Sequence, residues 1–185
     1  MEQKVVVYKK ELTNIQKLVL YFSVYSFLGW ILETIYALFV LGTFVKRGFL
    51  CGPLCPIYGF GAILLIIVLG KTKGKKTLEF FVSMIVFSVF EYIVSFVFEK
   101  VFGLRWWDYS NDFLNINGRI SIAYSVAWGI IGVLFNEKLH PFVVKKIDKV
   151  KSKVSHKIQR IIIFVFPIVT LADFILSSIK YLKIW

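Results

Sequence analysis

Histidine and cysteine are nearly missing from this sequence, with two of each in 185 residues. His140 and His156 share one basic stretch but lack the close spacing of metal ligands, so no metal is expected. Neither histidine falls among the carboxylate-bearing segments, and no Ser/His/Asp triad can be assembled. Cys51 and Cys55 leave room for at most one disulfide. The simpler reading is two small apolar residues packed in a loop, since Gly52-Pro53 restricts their approach. No GxxxxGK[ST] occurs, which excludes nucleotide hydrolysis by a phosphate-binding loop. No cofactor is expected. Acidic residues are also scarce, 11 against 23 Lys and Arg, for a net charge of +12. That balance raises the question of nucleic acid. The basic residues sit at the ends of apolar runs, without an aromatic-interleaved groove pattern, so nucleic acid is rejected as a partner.

What the chain has in excess is apolar surface. Hydrophobic residues make up 58%, aromatics 18% and charged residues 18%, and the mean hydropathy is +0.74. A soluble domain carries about 45–50% apolar and about 25% charged residues. The fold class expected is all-α, a polytopic transmembrane bundle forming one membrane domain over residues 1–185. Five apolar runs predict spans near 17–40, 57–70, 78–102, 120–135 and 161–182. A span needs about 20 residues. The second and fourth are short and rich in glycine, which predicts broken or re-entrant segments. The first twelve residues are polar, and the run after them is too long for a signal sequence, so a retained first span is expected.

Counting Lys and Arg by side sets the orientation. With the N-terminus in the cytoplasm, 16 of the 23 fall inside, among them Lys4, Lys9, Lys10 and the run 71–76. Seven fall outside, including Lys183. This bias predicts a multi-pass protein of the cell membrane with its N-terminus inside and both glycine-rich loops outside. The stretch from Lys145 to Arg160 reads either as an amphipathic helix on the inner leaflet or as a solvated basic connector. Anionic lipid headgroups suit such a basic face.

Glu33, Glu91 and Asp173 lie inside apolar runs. A carboxylate at bilayer centre costs about 2.5–3.5 kcal/mol or more, so each must face the bundle interior, pair with a cation or carry a proton. All three sit at or above mid-membrane on the outer side, at about 1.5 Å per residue. This predicts a single outward-open polar pocket lined by three spans. Glu99 follows Glu91 by eight residues and shares its helix face. Arg47 and Arg119, each beside a glycine at the outer edge, are the available cations. Two readings stay open: a ligand site, or Glu–Arg pairs that only lock helices together.

Two motifs surround these residues. The first is Gly29-Trp30-x-x-Glu33 followed by Arg47-Gly48, Gly52-Pro53-x-x-Pro56 and Tyr58-Gly59-x-Gly61. Its glycines and prolines forbid a regular helix and predict a segment folded back into the outer half of the bundle. The second joins Glu91 and Glu99 to Arg105-Trp106-Trp107-Asp108-Tyr109-Ser110 and to Asn117-Gly118-Arg119. The aromatics suit an interfacial belt, and Asn-Gly signals a turn. Together, from about Phe22 to about His140, these motifs resemble the CmpB-type family of small ABC-transporter permeases. The resemblance implies an all-helical multispanning protein and a separate ATPase chain. The last span, with Asp173, falls beyond the motifs that carry it.

The leading expectation is a transport or permease component. It would bind a small solute or ion at Glu33, Arg47, Glu91, Glu99, Asp108, Asn117 and Arg119. The alternatives are a membrane enzyme or lipid-handling protein, and a non-catalytic membrane subunit. The partners expected are membrane lipid and either a separate ATPase subunit or a second copy of the chain.

Overall fold

A computed structural model describes residues 12–182. Lys4, Lys9, Lys10 and Lys183 of the orientation count lie outside them.

Helix α1 spans Asn14–Leu41. Thr13 opens it with a capping box: its hydroxyl accepts from Gln16 N, and Gln16 Oε1 accepts from Thr13 N. The next helices are α2 (Pro56–Leu69) and α3 (Lys76–Phe102). A two-stranded hairpin, β1 (Asn115–Ile116) with β2 (Ile120–Ser121), leads into α4 (Ile122–Leu134). A π-helical turn over Phe135–Leu139 joins α4 to α5 (His140–Lys151). Helix α6 covers His156–Tyr181, with the Ser155 hydroxyl capping Ile158 N.

Three helices, α1, α3 and α6, are long and apolar enough to cross a bilayer. At 28, 27 and 26 residues each reaches about 40 Å, beyond the roughly 30 Å hydrocarbon layer. Most of their apolar surface is left uncovered by the rest of the chain; in α6 only 11% of the most apolar window is buried. Water does not tolerate that surface and lipid does. The chain is a membrane protein.

The two short predicted runs are also helical. Helix α2 keeps the expected short length, 14 residues, whereas α4 does not stop near Phe135 but continues through the π-turn to Lys151. The basic stretch 145–160 is neither one amphipathic helix nor one connector. It ends α5, breaks over residues 152–155 where Ser155 takes up a new cap, and begins α6.

Helix α1 pairs with α2, and α3 with α4. Tyr25, Ala62, Leu65, Leu69, Phe87, Phe135 and Val143 form the apolar core between them. The Tyr58 ring occupies the space where a Cβ of Gly29 would stand, so α2 lies directly against α1. The loop before α2 runs deep: Cys55 N donates to Ser26 O at 2.9 Å, near the middle of α1. The loops 42–55 and 103–114 lie at one end of the bundle. Phe49, buried in the first loop, packs on Phe98 and Phe102 of α3, on Trp106 of the second loop, and on Phe174 and Tyr181 of α6.

Candidate functional site

A continuous stripe of buried residues runs down one face of α3: Glu79, Ser83, Phe87, Glu91 and Ser95. The spacing of four keeps them on one face, and Glu99 extends the row. Opposite them, α4 presents Ser125, Gly129 and Gly132, followed by Asn136 of the π-turn. This α3–α4 seam is polar at both ends, and the stacked rings of Phe87 and Trp128, 4.8 Å apart, block its middle.

Glu91 occupies the seam just beyond that block and is 8% exposed. Its Oε1 accepts from the Tyr109 hydroxyl at 3.0 Å and its Oε2 from Trp128 Nε1 at 2.9 Å. Both donors are neutral, and no Lys or Arg within the described residues pairs with it. Burial, followed by the charge of Glu91, pushes the Tyr109 phenol above its ordinary value, so it stays a donor.

Arg119 is drawn to Glu99 rather than Glu91. Its Nη1 stands 2.6 Å from Glu99 Oε2 and donates to Ser95 Oγ at 3.0 Å. Glu99 Oε2 has no aligned hydrogen-bond donor, so charge rather than hydrogen-bond geometry holds that pair. The guanidinium also lies over the rings of Tyr92 and Phe96. Arg119 Nε is buried without a partner.

The hairpin places Arg119 there. Asn117 and Gly118 both take positive φ, +54° and +65°, as a tight two-residue turn requires. Arg119 N closes that turn on Ile116 O at 3.0 Å. Arg105 braces it, donating to Asp108 Oδ1 and to Asn117 O. Asp108 also accepts from the Ser110 hydroxyl and N–H, and these bonds hold its carboxyl below the ordinary range. Asn117 Nδ2 reaches Tyr92 Oη at 2.9 Å. Asp108 and Asn117 therefore build the turn that carries Arg119.

Glu33 belongs to a second cluster. Its Oε2 takes Arg47 Nη2 at 3.0 Å and Nε at 3.3 Å, and its Oε1 takes the Tyr58 hydroxyl at 2.6 Å. Beside it, Cys55 is buried. Cys51 and Cys55 are both free.

Asp173 forms a third cluster. Its two oxygens accept from Cys51 N and Gly52 N, each at 2.8 Å, and from the Ser177 hydroxyl at 3.1 Å. The loop that enters the bundle carries amide groups that lipid cannot satisfy, and Asp173 supplies their acceptors.

The three carboxylates expected in one pocket sit in three separate hydrogen-bond clusters. Glu33, Glu91 and Asp173 share no hydrogen-bond partner, and each is engaged by a residue of the loop end. Two cavities of about 400 and 390 Å³ lie elsewhere. One is beside Phe80 and Ile130, the other between Lys17 of α1 and Lys151 of α5. Reading the sequence alone placed Tyr58 and Tyr109 in the motifs without a site role and overlooked Trp128, Ser95 and the buried Glu79. For Glu79 and Ser95 a signal was there, a four-residue spacing of polar residues in α3 interrupted only at Phe87.

No curated protein and no solved structure matches the chain. A family model matches residues 20–178, reaching through Asp173 and past the limit near His140 set by the motifs. The chain belongs to the CmpB family, described as "Putative ABC-transporter type IV".

Proposed function

We propose that this chain is the membrane-embedded component of a transport system and that Glu91 is its solute contact. One observation carries the reading: a buried carboxylate held by two neutral donors, with no cation of its own. An intramembrane acid without a counter-charge costs several kcal/mol, and a site that keeps one attracts a cationic group or a proton. Arg119 Nε and Glu99, further along the same face of α3, offer a donor and an acceptor to the polar part of such a solute. Glu33 and Arg47 are assigned a different task, latching the entering loop to α1 through Tyr58, because that cluster is internally satisfied. Asp108 and Asn117 set the turn and do not touch solute.

The same reading takes residues 1–185 as one membrane domain of the cell membrane with five crossings and the N-terminus inside. The coil before α2 and the helix itself cross together, and α4 makes the fourth crossing. The loop end then faces outward, and a separate chain supplies nucleotide hydrolysis, as the family description supports.

Uptake of labelled small amines into proteoliposomes tests the reading. The wild-type chain, with its ATPase where one co-purifies, is expected to take up at least one amine. Glu91→Gln is expected to lower that uptake at least tenfold and Glu33→Gln no more than about threefold. Equal uptake by wild type and Glu91→Gln would remove Glu91 from the pathway.

A further inference from the structure

The opposite end of the α3–α4 seam holds a second acid, and its surroundings are incomplete. Glu79 is 0% exposed. Its Oε1 accepts from Asn136 Nδ2 at 2.9 Å, while its Oε2 has no partner among the described residues. The Glu137 carboxylate lies within hydrogen-bonding reach of Glu79, and its Oε1 already accepts from Gly74 N at 2.7 Å. Two ionised carboxylates at that separation repel, and a buried acceptor with no donor costs roughly 1–3 kcal/mol. One proton removes both costs, because a carboxylic acid donates where a carboxylate can only accept.

The backbone is arranged for this meeting. The only π-helical turn among the described residues, Phe135–Leu139, carries Asn136 and Glu137. In a regular α-helix successive residues point about 100° apart. The widened turn lets both side chains serve one place, Asn136 toward Glu79 and Leu69 O, Glu137 toward Gly74 and Glu79. Packed around the pair are α3, the π-turn and the 70–75 linker. Asn136 and Gly74 N–H donate to the two acids, and the lysines of these elements, Lys71, Lys73, Lys75, Lys76 and Lys138, form no ion pair with either among the described residues. Lys73 of the linker is felt instead at His140.

We infer that Glu79 and Glu137 together bind one proton, as a hydrogen-bonded acid–carboxylate pair at the basic end of the seam. The site is distinct from the Glu91 cluster and does not depend on its role. It lies on the same helix face as Glu91, on the other side of the Phe87–Trp128 stack.

Infrared spectroscopy of the full-length protein in lipid nanodiscs at neutral pH tests this. Glutamine keeps the shape of either acid and brings its own N–H₂ to the partner, so it replaces the shared proton. The wild-type minus Glu79→Gln and wild-type minus Glu137→Gln spectra are each expected to contain one hydrogen-bonded carboxylic-acid C=O band. Any acid elsewhere cancels in the subtraction. Each variant is also expected to release one proton fewer than wild type when the pH is raised through the titration of the pair. If neither difference spectrum contains that band, or only one does, the shared proton is refuted. A band that sodium, potassium or calcium abolishes at constant pH would mark a metal-cation site instead and overturn the proposal. Thermal unfolding of both variants within a few degrees of wild type confirms that the comparison is between folded proteins. Should Glu79→Gln fail to fold, the Glu137→Gln spectrum decides alone, with loss of the band as support and retention as refutation.

Discussion

Glu91→Gln isolates what a buried acid costs and gains. The carboxylate accepts from Tyr109 and Trp128. A glutamine offers one acceptor and one donor, so one of those donors must face an N–H₂ group. The expected outcome is a loss of about 1–3 kcal/mol of stability, seen as a lower unfolding temperature in detergent. Trp128→Phe in the same background should recover part of that loss by removing a donor. At the basic end, the Tyr25 hydroxyl meets His140 Nδ1 at 2.9 Å, and burial and then Lys73 hold the imidazole below its usual 6.5. A base whose folded pKa is depressed binds fewer protons folded than unfolded. His140 therefore contributes stability above about pH 6.5 that is lost as the pH falls through its lower, folded value. Unfolding temperature followed across that window should slope downward on acidification, and His140→Asn should flatten the slope.

At the scale of elements, the attachment of α6 rests on few contacts, and Asp173 is central to them. It ties α6 to the entering loop through two backbone amides. Phe49 adds the aromatic contact to Phe174 and Tyr181. Asp173→Ala strands both amides in a lipid-surrounded loop, where each costs several kcal/mol. Protease cleavage between residues 42 and 55 should speed up at least tenfold in that variant, with α1 and α3 protected as before. Unchanged cleavage would mean that Phe49 and the Arg47–Glu33 latch hold the loop without Asp173. That role was hidden in the sequence, because an acid's depth in a run does not reveal whether its partner is a cation, a ligand or backbone. Glu33 was more legible: Lys46 and Arg47 beyond the same span were the cations near it, and arginine suits a two-point carboxylate contact. The pairing of Arg119 with Glu99, leaving Glu91 to neutral donors, depends on a hairpin of two residues per strand. Its Asn117-Gly118 turn signal was readable, but where the turn would aim Arg119 was not.

For the whole molecule, hydropathy foretold the long helices within a few residues, since lipid imposes a length that a sequence window can measure. The apolar runs also matched α2 and α4 to within two residues, but nothing in them foretold that Ser26 and Asp173 would satisfy the amides of the coil before α2. The proposed sidedness of the bundle rests on lysine and arginine counts alone and can be tested with one native residue. Cys51 is exposed in the loop end, whereas Cys55 is buried. A membrane-impermeant maleimide applied to intact cells should therefore label the wild-type chain at Cys51. In Cys51→Ser carrying Lys73→Cys, the linker between α2 and α3 holds the only exposed cysteine. That variant should stay unlabelled until the membrane is permeabilised if the proposed orientation, with the basic linker inside, holds. The opposite pattern would turn the bundle over, placing Glu91 near the cytoplasm and the Glu79–Glu137 pair near the exterior, with the seam between them unchanged.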